Sequence, residues 1–210
     1  MPSQLFLVSL TTFFATVGPA DLLLVYAALT HKNTRAERRT MALRGVLVAT
    51  GILLFFAVFG EPLLGLFGVT LPALRTAGGV LLLLISIDMV FARHSGGTGT
   101  TREEEKEASL REDISVFPLA MPLIAGPGAI SATILLTTGT HSQLEWATVV
   151  VALLIILVLS YLAMLVAMPI QRLLGLTGLA VVSRIVGVLL AALAVQFLFD
   201  GIRQSGLLGG

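Results

Sequence analysis

The sequence predicts an all-α membrane protein with six transmembrane helices, arranged as two inverted three-helix repeats in which helices one and four are broken. Three observations carry that class. With 56% hydrophobic and 12% charged residues and a mean hydropathy of +0.99, the chain has too little polar surface to clothe a soluble domain. Apolar runs of about 17 to 25 residues, the length that crosses a hydrocarbon core, occur six times. A Gly-Pro break in the first run returns in the fourth as part of a longer recurrence.

The first run extends from Leu5 to Leu29. No Lys or Arg precedes it and its apolar stretch exceeds a signal-peptide core, so it is expected to remain as a span. Gly18-Pro19 interrupts it. Pro19 has no amide hydrogen for the carbonyl of Ala15, and the amides of Ala20, Asp21 and Leu22 open a second half-helix. Asp21 is the sharpest single residue. A carboxylate inside a span marks an ion, proton or substrate path, and an acid also suits the positive end of a helix; the two readings are not exclusive.

The second and third runs are Leu43 to Phe59 and Leu74 to Phe91. Glu61, Asp88 and Asp200 stand near span ends, where hydration at the interface is the expected state. Arg75 and Arg184 stand at span entrances and are expected to snorkel to headgroups.

The fourth run, Ile114 to Leu136, is filled with helix breakers: Phe117-Pro118-Leu119-Ala120-Met121-Pro122-Leu123-Ile124-Ala125-Gly126-Pro127-Gly128-Ala129-Ile130-Ser131. Non-helical backbone at bilayer depth survives where it is buried in protein or lines a polar cavity. Within this run Pro127 lacks an amide hydrogen and crowds the carbonyl of Leu123, and Pro122 does the same to Pro118. The amides of Gly128, Ala129 and Ile130 then begin a half-helix whose positive end suits a carboxylate. The small side chains of Gly18, Ala20, Gly126, Gly128 and Ala129 allow close approach of a small solute. Ser131, one turn past Gly128, either faces that space or bonds back to its own helix.

The fifth and sixth runs are Trp146 to Met168 and Val181 to Phe199. Gln196, deep in the sixth, is expected to bond across to another helix.

Charge sets the topology. Lys32, Arg35, Arg38, Arg39 and Arg44 crowd the first loop, and Arg93, Arg102, Lys106 and Arg111 the third, whereas Arg75 and Arg203 stand near span ends on the other side. The positive-inside rule puts loops one, three and five in the cytoplasm and both termini outside. The organisation is one membrane domain: a first repeat over residues 1–94, a cytoplasmic linker over 95–113, and a second repeat over 114–210.

The absence of cysteine excludes disulfides, iron-sulfur clusters and thiolate chemistry. His31, His94 and His141 are scattered through loops, so no metal site is expected. No catalytic constellation and no Walker A loop is visible, which leaves no catalytic residue, no cofactor and no direct ATP coupling. Proton or sodium coupling at Asp21 remains open.

The halves match at a separation of about 108 residues. Gly18-Pro19 pairs with Gly126-Pro127, Pro62, Gly68 and Thr70 with Pro169, Gly175 and Thr177, and Arg75 and Gly78 with Arg184 and Gly187. Three spans per half make the repeat inverted, the architecture of secondary transporters whose site lies where broken helices meet.

Val116 to Ile130, the segment Leu71-Pro72-Ala73-Leu74-Arg75-Thr76-Ala77-Gly78-Gly79 running on to Asp88, and Ala194-Val195-Gln196-Phe197 running on to Asp200-Gly201-Ile202 carry a resemblance over nearly the whole chain. The sequence resembles the MarC family, six-span proteins related to SnatA-type small neutral amino acid transporters. The resemblance implies a bacterial or archaeal cytoplasmic-membrane protein that moves glycine, alanine or similar solutes, and more weakly drug export. One departure is Gly18-Pro19-Ala20-Asp21, where the family's pattern is Asn-Pro-x-Gly.

The function expected is therefore a secondary transporter of a small neutral amino acid, working by one repeat rocking against the other. Its binding residues would be Gly18, Pro19, Ala20, Asp21, Leu123, Gly126, Pro127, Gly128, Ala129 and Ser131. Its partners would be a small-molecule substrate and the lipid bilayer, with no nucleic acid; the oligomeric state is left open. The alternatives are an exporter of drugs or hydrophobic metabolites, and a membrane enzyme or partner protein that transports nothing.

Overall fold

The computed structural model describes residues 2–30, 33–91 and 113–206. His31, Lys32, Arg93, His94 and the linker up to residue 112 lie outside the described residues.

Among the described residues seven α-helices and one π-type coil follow in order: α1 Pro2–Val17, α2 Pro19–Leu29, α3 Arg35–Leu66, α4 Leu71–Phe91, the coil Ser115–Ile124, α5 Pro127–Thr138, α6 Gln143–Leu165 and α7 Ala167–Gln204. Five units among the described residues are long and apolar enough to cross a membrane: Ser3–Ala27, Arg35–Leu66, Leu71–Phe91, Gln143–Leu165 and Arg184–Gln204. The coil and α5, bent by 56° against each other, make a further span if they are counted as one.

Local chemistry explains the ends. Thr34 starts α3 with a capping box, its Oγ1 accepting from the Glu37 amide at 3.3 Å while Glu37 Oε2 accepts from its own amide at 2.8 Å. Ser142 starts α6 by accepting from the Glu145 amide at 3.2 Å. Gly68, at φ 64, makes the left-handed turn between α3 and α4. A single residue, Val166, ends α6 and begins α7.

Two apolar clusters form. The larger joins residues of α1, α2, α3, the coil, α5, α6 and the start of α7, where Ala167 is buried, with Phe13, Tyr26, Leu53, Leu119, Ile124 and Leu153 nearly or wholly buried. The smaller joins α4 to α7 through Leu82, Ile85, Met89, Leu190 and Ala194, with Ala15 of α1 bordering it. Glycine lets α4 and α7 approach closely and antiparallel: a Cβ on Gly79 would lie 2.9 Å from the Ala194 carbonyl oxygen, one on Gly187 2.9 Å from Met89 Cβ, and one on Gly201 2.8 Å from the Thr76 amide. Outward, Phe55, Val58, Val158, Leu162 and Leu189 are exposed, an apolar belt that a bilayer would cover.

This packing cuts across the repeats. The α4–α7 pair takes one helix from each half, so the apolar clusters do not divide the chain into a first-repeat body and a second-repeat body. The repeat is also inexact. Pro62 is internal to α3 but Pro169 lies in the first turn of α7, and Gly68 turns the chain where Gly175 sits within α7.

Arg44 at the start of the second span pairs with Asp113 at the end of loop three, 3.2 Å apart. The Tyr26 hydroxyl donates to the Arg38 carbonyl, and both residues line a cleft with Met168 and Pro169 just beyond the α6–α7 junction.

Two expectations about polar groups are corrected. Asp88 is not hydrated at an interface but buried, with 6% exposure, because it lies one turn past Ile85 of the smaller cluster, on the packed side of α4. Gln196 does not bond across helices: it is exposed, and its Nε2 donates to Asp200 Oδ1 one turn away at 3.0 Å. An amide and an acid at i, i+4 satisfy each other without a second helix.

Candidate substrate site at the broken helices

The first break is mild. Gly18 adopts the left-handed conformation, φ 59 and ψ 60, and Pro19 follows at the first position of α2. There its missing amide hydrogen is harmless, since the first turn has no intrahelical acceptor. The Leu22 amide already donates to the Gly18 carbonyl at 2.9 Å, so it is not among the open amides expected from the sequence. The amides of Ala20 and Asp21 precede that first intrahelical bond. Asp21 folds back over the break: its Oδ2 lies 3.7 Å from where a Cβ on Gly18 would project. Pro19 is buried, while Gly18, Ala20 and Asp21 are half-buried.

The second break has a different construction from the one expected. Pro118 and Pro122 do not interrupt an α-helix. Each follows an extended residue, Phe117 at φ −127, ψ 126 and Met121 at φ −133, ψ 125, through a cis peptide bond. A residue before proline is pushed out of the α region, so the displacement of the Pro118 carbonyl argued for a regular helix does not arise. The amides of Leu119 and Ala125 reach back five residues, to Ile114 at 3.1 Å and Ala120 at 2.9 Å.

Pro127 then begins α5 as Pro19 begins α2. The Ile130 amide donates to the Gly126 carbonyl at 3.0 Å, leaving Gly128 and Ala129 ahead of the first intrahelical bond. Gly126 is extended, φ −76, and its small size is set by contact: the Pro122 carbonyl oxygen lies 2.5 Å from where its Cβ would be. The space beside Gly128 is taken by α4, with Ile85 Cδ1 2.9 Å and Leu82 Cδ2 3.2 Å from a Cβ built there. Ser131 is buried against α4 as well, its Cβ 3.5 Å from that of a residue replacing Gly78.

The two breaks border one core. Val17, Leu22 and Leu23 around the first, and Ile124, Ala125 and Ala129 around the second, belong to the larger cluster, with Leu123 packed against it. Pro127 is exposed. Beyond the second break, Thr133 and Thr137 donate their hydroxyls to their own helix, at 2.7 Å to Ala129 and 2.8 Å to Thr133.

Two residues escaped the sequence reading. Ser9 and Thr12, both 0% exposed on α1, carry buried hydroxyl oxygens with no hydrogen-bond partner among the described residues. Buried polar atoms are seldom left unpaired. Their spacing of three puts them on one helix face, a signal the sequence carries, though a Ser and a Thr in an apolar helix are too common to single out.

Among the described residues no group of three or more His, Cys, Asp or Glu converges as a metal site would.

Comparison with known proteins bears on the whole chain. The family described as "MarC family integral membrane protein" matches residues 3–205. A UPF0056 membrane protein of Methanocaldococcus jannaschii is 36% identical over 205 residues, covering 98% of this chain and 99% of its own. The UPF0056 membrane protein YhcE of Escherichia coli is 36% identical, covering 90% of this chain and 88% of its own. That of Bacillus subtilis, YvbG, is 32% identical over 91% of each. No solved structure matches.

Proposed function

The chain belongs to the MarC family of integral membrane proteins, found in bacteria and archaea, and from that premise we propose that it is a secondary transporter of a small neutral amino acid. The observation that carries the reading is the second break: a span-length unit bent by 56° whose second part opens with the small, buried Gly126, Gly128 and Ala129. On this reading the substrate carboxylate docks on the amides of Gly128 and Ala129, where α5 presents its positive end. The ammonium is met by Asp21 beside Gly18, and Gly18, Pro19, Ala20, Leu123, Pro127 and Ser131 shape the space between. Proton or sodium coupling passes through Asp21.

The packing favours a particular moving body. An inverted repeat needs its third and sixth spans to run in opposite directions, as α4 and α7 do, and their glycine contacts make them one unit. Alternating access then comes from the α4–α7 pair shifting against the larger cluster, with Gly128 and Ser131 at the seam. The reading puts the protein in the cytoplasmic membrane with loops one, three and five inside.

Purified protein in liposomes loaded with alanine should accumulate external radiolabelled glycine or alanine by counterflow. Absence of counterflow for every small neutral amino acid, from protein that remains monodisperse and helical, would remove the proposal.

A further inference from the structure

The first five residues of α3 include Arg35, Arg38 and Arg39, at the end of the helix where the backbone dipole is already positive. The acid among them, Glu37, is committed to the Thr34 amide in the capping box. None of the three arginines has an ion-pair partner among the described residues. They line a half-open cleft of about 720 Å³ whose other wall is apolar, formed by Met164, Leu165 and Met168. Arg38 Nη1 is buried there without a hydrogen-bond partner among the described residues. A buried guanidinium N–H left unpaired is costly, and this one shares a cleft with two more uncompensated cations.

The neighbouring surface says what kind of anion fits. Leu162, Leu165 and Val166 at the end of α6 are exposed, so the apolar wall runs out into the belt a bilayer would cover. A free anion would use the arginines and waste the wall. We infer that this cleft binds the phosphate of an anionic glycerophospholipid, with the arginines holding the headgroup and an acyl chain lying on Met164, Leu165 and Met168. Planar guanidinium forks suit phosphate oxygens, and basic pockets at the cytoplasmic ends of spans are matched to anionic headgroups. The assignment is independent of what the broken helices carry.

The test is native mass spectrometry of the purified full chain with dioleoyl phosphatidylglycerol and dioleoyl phosphatidylcholine in equal amounts. Retention of the anionic lipid should exceed that of the zwitterionic one, and each arginine removed should cut the preference by about fivefold. Arg35→Gln with Arg39→Gln is the primary variant, since both side chains are exposed and their loss leaves the helix intact. Arg38→Gln is the second; the Tyr26 bond is to its main-chain carbonyl and survives the change. Equal retention of the two lipids, or a preference unchanged in both variants, overturns the proposal. Displacement of the bound lipid by millimolar inorganic phosphate overturns it too, because the site would then take the free anion.

Discussion

The carbonyl oxygen of Pro122 occupies the place a side chain on Gly126 would need, 2.5 Å from the position of its Cβ. The bend between the coil and α5 is therefore held by backbone against backbone, with no flexible side chain to give way.

Gly126→Ala should destabilise the protein by about 1–3 kcal/mol, the range for overpacking a tight site, read as a lowered Tm of the purified protein. A wild-type Tm would show that Pro122 yields freely and that Gly126 is not required by contact.

Gly128→Ala meets only the tips of Ile85 and Leu82. It should cost less than Gly126→Ala, and Ile85→Val, which removes the nearest methyl, should recover most of the loss. A double-mutant cycle with no coupling between the two positions would contradict this contact.

Asp21→Asn should abolish the dependence of uptake on a proton or sodium gradient while counterflow exchange continues. Gradient-driven uptake that persists unchanged would leave Asp21 as a helix-end acid alone.

Ser9→Ala with Thr12→Val replaces two unpaired buried hydroxyls by apolar groups of similar shape. Stability should hold or rise, since unpaired groups lose their desolvation penalty. A transport defect accompanying unchanged stability would assign the two hydroxyls to the substrate path; a fall in Tm would show that they have partners after all.

Asp113 gives a pH test outside the spans. Its carboxylate accepts from the side chain and the amide of Ser115, which hold its pKa below the ordinary 3.8, with a smaller contribution from Arg44. A depressed pKa means that the stabilisation is present above the unfolded value and is lost as pH falls through the folded one. The Tm gap between wild type and Asp113→Ala should be constant near neutrality, shrink as pH drops below about 4, and close in stronger acid. A gap that is flat to the acid limit would deny the role of charge.

The spans were legible because their apolar runs are long, and their ends less so. The third run, Leu74 to Phe91, falls within α4, but α3 and α7 extend well past Leu43 to Phe59 and Val181 to Phe199 because helices continue beyond hydrocarbon into polar sequence. Gln171 and Arg172 hid the start of α7 in this way. The breaks at Gly18 and Gly126 were visible as glycine beside proline. Their construction was not: proline biases the residue before it toward extended backbone, as at Phe117 and Met121, but that bias competes with the helical signal of a long apolar run. Partners in space were also out of reach: nothing in the linear pattern says that Gly128 meets Ile85, or that α4 lies against α7.

Val166 connects α6 to α7 with no slack. A one-residue joint transmits rotation and permits little independent translation, so α7 can swing only as a lever about that point. Met168 and Pro169, two and three residues along the lever, form part of the wall of the arginine cleft. Met168 also packs against the larger cluster, so a tilt of the α4–α7 pair against that cluster would be felt at this edge of the cleft. By thermodynamic reciprocity, whatever fills the cleft acts as a wedge on the tilt.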